Sequence, residues 1–318
     1  MRKPTFSKSA VWAFSAIMCL AACTPPNTAQ RISAFATATT DVSENVADAF
    51  KQVNQAYIAT ATDEAVGIIS QGGKVDPKAV SKPFLDNDQY EARAAVLRVL
   101  ADYAGLLAEI MGDTPQQNLD AEVDKFAAAL NSLSSSSDLQ NLLGVSSPLT
   151  KNDVGILATG INEIARLFID YKRTKETKVI IRDADASIAR ITTLLQKDIG
   201  AKREVSGLRS QLYAAYDKRL ADRFIWISRQ SKPGKTTTNG FSSVEQRAEV
   251  VAWLDLVKDQ EQADHTLERI YKSLGTLRAA HGKLLTAYDD DAPELDSLIG
   301  LLKSEAERVS ARYKSLKK

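Results

Sequence analysis

Apolar residues along most of this chain recur at alternating steps of three and four, the spacing of a helix that buries one stripe. Between residues 31 and 69, Ile32, Phe35, Val42, Val46, Ala49, Val53 and Ala56 keep that period, with Phe50 and Tyr57 widening the face. Residues 70–84, "SQGGKVDPKAVSKPF", break it with Gly and Pro and form a connection. Asp88-Gln89-Tyr90-Glu91 reads as a capping box for a helix through Val96, Leu100, Tyr103, Leu107 and Ile110. Gly112 stops that helix, and Thr114-Pro115 starts another carrying Leu119, Val123, Phe126, Leu130 and Leu133. "SSSSD" at 134–138 and "GVSSPLT" at 144–150 flank a short helical piece.

The second half is more regular. Val154, Leu157, Ile161, Ile164, Phe168 and Tyr171 form one stripe, and the polar "KRTKETK" separates it from Val179-Ile180-Ile181. Ile188, Ile191, Leu195, Ile199, Leu208, Leu212, Tyr216, Leu220 and Phe224 predict a single long helix reaching Ser228. "SKPGKTTTNG" is a loop, after which Ser242 and Ser243 with Glu245 and Gln246 offer a helix start. From Trp253 the seam runs through Leu256, Gln260, Ala263, Leu267, Ile270, Leu274, Leu277, His281 and Leu284 to Tyr288. A helix from Ser243 to Tyr288 spans about 69 Å at 1.5 Å per residue. "DDDAPELD" caps a last helix with Leu295, Leu298, Leu302, Val309 and Leu316 facing inward. No alternation of strand type appears. The expected fold is all-α, an elongated antiparallel helical bundle with long coiled-coil-like helices.

The first residues differ. "MRKPTFSK" carries Arg2, Lys3 and Lys8, and an apolar run from Ala10 to Ala22 follows. That run is shorter than the roughly 20 residues needed to span a bilayer, so it has the character of an export signal. Leu20-Ala21-Ala22-Cys23 resembles the lipobox of bacterial lipoproteins, a resemblance confined to residues 1–23. It implies that Leu20, Ala21 and Ala22 guide the signal peptidase, that Cys23 receives a diacylglyceryl group, and that the new amino terminus is acylated, palmitate being a typical chain. It also implies a membrane partner through that lipid. Thr24, where Asp would favour retention at the inner membrane, implies the periplasmic face of the outer membrane in a two-membrane host. A plain secretory signal cut after Ala22, or a simple amino-terminal membrane anchor, is the alternative.

The expected organisation is therefore a signal (1–22), a polar tether (23–30) and a helical body (31–318), the last divisible into subdomains 31–149 and 150–318. The chain's two cysteines are Cys19 and Cys23. Cys19 leaves with the signal and Cys23 is consumed by lipid, which removes disulfides and thiol chemistry from the body. Of 41 basic and 40 acidic residues, three basic ones leave with the signal, giving a mature balance of 38 − 40 = −2. Near neutrality gives no reason to expect nucleic acid as a partner.

Candidate chemistry is sparse. His281 sits on the seam, where a polar residue fixes register. Glu261, His265 and Glu268 share a face suited to metal ligands, but Gln262 and Arg278 stand where a helical di-iron site has Glu three residues before its His. "PGKTTTNG" ends like a phosphate loop, yet Arg229 occupies its first glycine position. Asp289, Asp290 and Asp291 lack EF-hand spacing and suit a helix amino terminus. Phe224, Ile225, Trp226 and Ile227 cannot all occupy one stripe: either two layers bury them, or some are exposed to touch a protein or membrane. No catalytic set and no cofactor motif emerges. The expectation is a non-enzymatic scaffold, adaptor or accessory subunit with an envelope protein partner, contacted near residues 70–87, 134–150 and 231–242. The alternatives are a small-molecule or lipid-binding helical protein and a membrane-active bundle.

Overall fold

The computed structural model describes residues 27–70, 72–112, 115–143, 147–230 and 241–316. Leu20, Ala21, Ala22 and Cys23 lie outside them, as do residues 231–240 of the expected contact loop and 144–146 of another. Among the described residues every regular element is helical: α1 (Thr28–Ser70), α2 (Pro77–Val80), α3 (Asn87–Met111), α4 (Gln116–Ser135), α5 (Lys151–Thr174), α6 (Thr177–Ile199), α7 (Leu208–Gln230), α8 (Ser243–Gly282) and α9 (Pro293–Leu316). Two 3₁₀ segments, Ser137–Leu142 and Leu284–Tyr288, join α4 to α5 and α8 to α9. The chain is an all-α helical bundle.

Most of the apolar stripe positions read from the sequence are buried, Phe224 at the end of the α7 stripe being an exposed exception. Ile32, Phe35, Val42, Val46, Ala49 and Val53 of α1 are all buried, as are Leu256, Ala263, Leu267, Ile270, Leu274 and Leu277 of α8. One continuous core cluster joins residues of both halves, from Ile32 to Val309. At its centre Phe168 receives Tyr103 and Phe126 edge-on, with ring centroids 5.8 and 5.2 Å away. Each such pair adds about 1 kcal/mol beyond the area it buries.

The consecutive helices α4, α5 and α6 run antiparallel, whereas α6 and α7 share one direction and both run antiparallel to α8. Asp153 meets Lys197 and Glu163 meets Arg190 across α5 and α6, while Asp124 meets Lys172 across α4 and α5. The antiparallel expectation fails for α1 and α9, which lie side by side and parallel: Arg31 reaches Asp296, and Asn45 donates to the carbonyl of Ala306. Their contact is between the two termini of the body, and sequence order sets no direction for such a pair.

Three further expectations are corrected. The box that opens α3 is Asp86 with Gln89, two residues before the expected start, each side chain bonding the other's backbone N–H. The long helix reaching Ser228 is two helices. α6 ends at Gly200 (φ +88°), and α7 starts after Gly207, where an added Cβ would sit 2.7 Å from the Ile199 carbonyl oxygen. The periodic Leu208 stripe continues only because the break returns the chain to the same core. α8 stops at Gly282, and the last turns of its seam, through Tyr288, are 3₁₀. Ser242 and Glu245 do form the capping box that starts α8.

Candidate interaction surfaces

Phe224, Ile225, Trp226 and Ile227 close α7, and the structure divides them. Ile227 is buried, Trp226 is half-buried, and Phe224 and Ile225 are 56% and 46% exposed. Two layers do not bury the whole group. Phe224 leans on Trp253 of α8, with centroids 5.8 Å apart, and Trp226 meets Phe241 edge-on at 4.9 Å. The Trp253 indole N–H donates to the Leu220 carbonyl, fixing that ring across the pair.

These residues belong to a larger apolar tip. Val66, Ile68 and Ile69 at the end of α1 are exposed, as are Val244, Val250, Val251 and Leu254 at the start of α8. Among the described residues, nine of the 14 exposed large hydrophobics lie on these three helix ends. Scattered surface hydrophobics need no explanation, whereas a concentration of them marks a contact surface. An open cleft of about 280 Å³ lies between the helix ends, lined by Val66, Ile68, Trp226 and Leu256, with Arg219 and Glu249 among its charged residues. Arg223 pairs with Glu249 at 2.8 Å, and Arg219 donates to the Tyr57 carbonyl.

The opposite end of α1 is polar and pinned. The Thr28 hydroxyl donates to the Ala287 carbonyl, and Arg31 holds Asp296 and the Asp289 carbonyl. Asp289 and Asp296 thus serve the start of α9 and its junction with α1. From Thr28 to Val66 is about 57 Å along the helix.

The charged and histidine clusters are internal fasteners. His281 is buried. Its Nε2 lies 2.7 Å from the Tyr103 hydroxyl and its Nδ1 2.9 Å from Asp185, so it joins α8 to α3 and α6 at a fixed register. The Asp185 carboxyl is held below its ordinary pKa, chiefly by the His281 hydrogen bond, and burial pushes the Tyr103 phenol well up. His265 is exposed and meets Glu268 at 3.3 Å. Glu261 is taken by Arg203, and Glu268 by Lys272 and Arg209. Beside them Asp264 is buried between Arg209 and Arg203. Burial alone would raise its carboxyl, but the hydrogen bonds from both guanidiniums hold it below its usual value. Among the described residues no group of three or more His, Cys, Asp or Glu is placed to hold a metal ion.

Sequence reasoning missed two features. One is the Arg93–Asp198 pair, at 2.7 Å with both side chains 1% exposed. Its signal was present, since Arg93 falls three residues before Val96 on an apolar stripe. The other is a long cleft over α3 between α1 and α4, which no local pattern announces. No protein-family model, curated protein or solved structure matches this chain.

Proposed function

We propose that this chain is a lipid-anchored, non-enzymatic scaffold or adaptor of the bacterial envelope, fixed to the membrane through Cys23 and engaging a protein partner with its far end. The supporting observation is the apolar tip, about 57 Å along α1 from the end where the tether enters. Cys23 precedes Thr28 by five residues, a reach of about 17 Å. A lipid on Cys23 therefore keeps the polar end near the bilayer and lets a rigid body carry the tip away from it. Tethering raises the local concentration of the tip for any partner in the same compartment. Among the described residues no helix is long and apolar enough to cross a membrane.

The test is the intact mass of protein purified from membranes, with fractionation of a Cys23→Ser variant. Cleavage before Cys23 with added acyl mass, and loss of the variant from membranes, is the expected result. An unmodified cysteine with unchanged membrane attachment contradicts the anchor. Release of dye from liposomes by the purified protein, lost on Phe224→Ser with Ile225→Ser, would instead favour the membrane-active alternative.

A further inference from the structure

The α3 cleft is open and has a volume of about 960 Å³. It exists because α4 packs on α5 and α1 packs on α3, leaving the outer face of α3 uncovered between α1 and α4. Its floor is built of small or flush side chains: Ala47, Ala94, Leu97, Ala101, Gly105 and Phe126. Gly105 lies in mid-helix, where glycine is a poor helix former. Nothing stands within 4 Å of where its Cβ would be, so packing does not require it. Its effect is to keep the cleft deep.

The rim is acidic. Glu44, Asp48, Glu91, Asp102, Glu109 and Glu122 line the cleft against Lys51, Arg98 and Lys125, a balance of 3 − 6 = −3. Lys51 lies near Asp48 and Lys125 pairs with Glu122, while Glu44 and Glu109 have no ion-pair partner among the described residues. Partial burial raises the Asp102 carboxyl above its usual value, with Arg98 opposing. Ser43 lines the cleft, is 4% exposed, and its hydroxyl has no hydrogen-bond partner among the described residues. Its oxygen is itself buried, so it marks a polar spot beneath the cleft wall rather than a contact for an occupant.

Dimensions select the occupant. Along α3 the cleft runs from Tyr90 to Glu109, about 29 Å, which a helix of about 20 residues matches. The acidic rim repels nucleic acid and anionic lipid.

We propose that the α1–α3–α4 cleft is a receptor for an amphipathic helix of a partner protein, with small or apolar residues on its inner face and Lys or Arg on both flanks. This site is separate from the apolar tip and does not depend on Cys23, so its failure leaves the anchored-scaffold reading standing. The test is fluorescence anisotropy of the full-length protein, in mild detergent, with a labelled 20-residue helical peptide bearing Ala and Leu on one face and Lys on the flanks. The expected result is saturable binding that weakens at least tenfold in Gly105→Leu and in the Glu44→Lys, Glu109→Lys double variant, each still melting in one cooperative transition no lower than about 3 °C below wild type. Lack of saturable binding, equal binding of a peptide with Glu in place of Lys, or undiminished affinity in the charge-reversed variant overturns the proposal.

Discussion

Arg93 and Asp198 show how single residues hold this bundle together. The guanidinium grips the carboxylate through Nε and Nη2 at 2.7 and 2.9 Å, and the Ser147 hydroxyl donates a third hydrogen bond to the same carboxylate. Removing one partner leaves a buried charge, so Arg93→Ala or Asp198→Ala is expected to destabilise the fold by about 3–5 kcal/mol in urea denaturation. An apolar replacement of the pair, Arg93→Met with Asp198→Leu, should cost far less. Asp153 gives a pH signature. The hydrogen bond from Lys197, helped by the Thr150 backbone N–H, lowers its pKa to about 2. Its stabilising contribution is complete above the unfolded value near 3.8 and fades as pH falls through about 2. Asp153→Asn should therefore flatten the loss of stability between pH 4 and 2, measured by circular dichroism, and weaken the α5 cap at neutral pH. The His281 seam position was readable from spacing. Its partners Tyr103 and Asp185 were not, because they lie 178 and 96 residues away in sequence and meet only through packing.

At the scale of elements, the two kinds of glycine in the bundle separate geometry from propensity. Gly105→Ala meets nothing within 4 Å and should stabilise α3 by about 0.5–1 kcal/mol. Gly207→Ala would place its Cβ 2.7–2.8 Å from the Ile199 and Gly200 backbone and should destabilise by more than that, since backbone on both sides must move. Thermal melting of the two variants in opposite directions checks both. The same contrast explains what the pattern could tell. Stripes located α1, α4, α5, α8 and α9 because each buries one face, and Ser242 with Glu245 set the start of α8. The α6–α7 break was missed because a stripe that resumes in phase after a turn looks continuous. The α3 cap was misplaced because Asp86 and Asp88 are both plausible starts, and only backbone geometry chooses between them.

Across the whole molecule, α1 ties the two halves together, packing on α3 as well as on α7, α8 and α9. With one core cluster shared by 31–149 and 150–318, calorimetry is expected to show a single cooperative transition; two resolved transitions would make the halves independent. The apolar tip was only partly legible. "FIWI" advertised itself as a run too apolar for one stripe, but its union with Val66, Ile68 and Ile69 depends on where α1 ends relative to α7. The most direct test of the anchored scaffold is in-cell photo-crosslinking from Ile225 at the tip, compared with Ile169 on α5, in the wild type and in Cys23→Ser. A discrete envelope-protein adduct from Ile225 alone, weakened when Cys23 is replaced, is the expected result. The same adducts from both positions, or none from Ile225, would contradict the account.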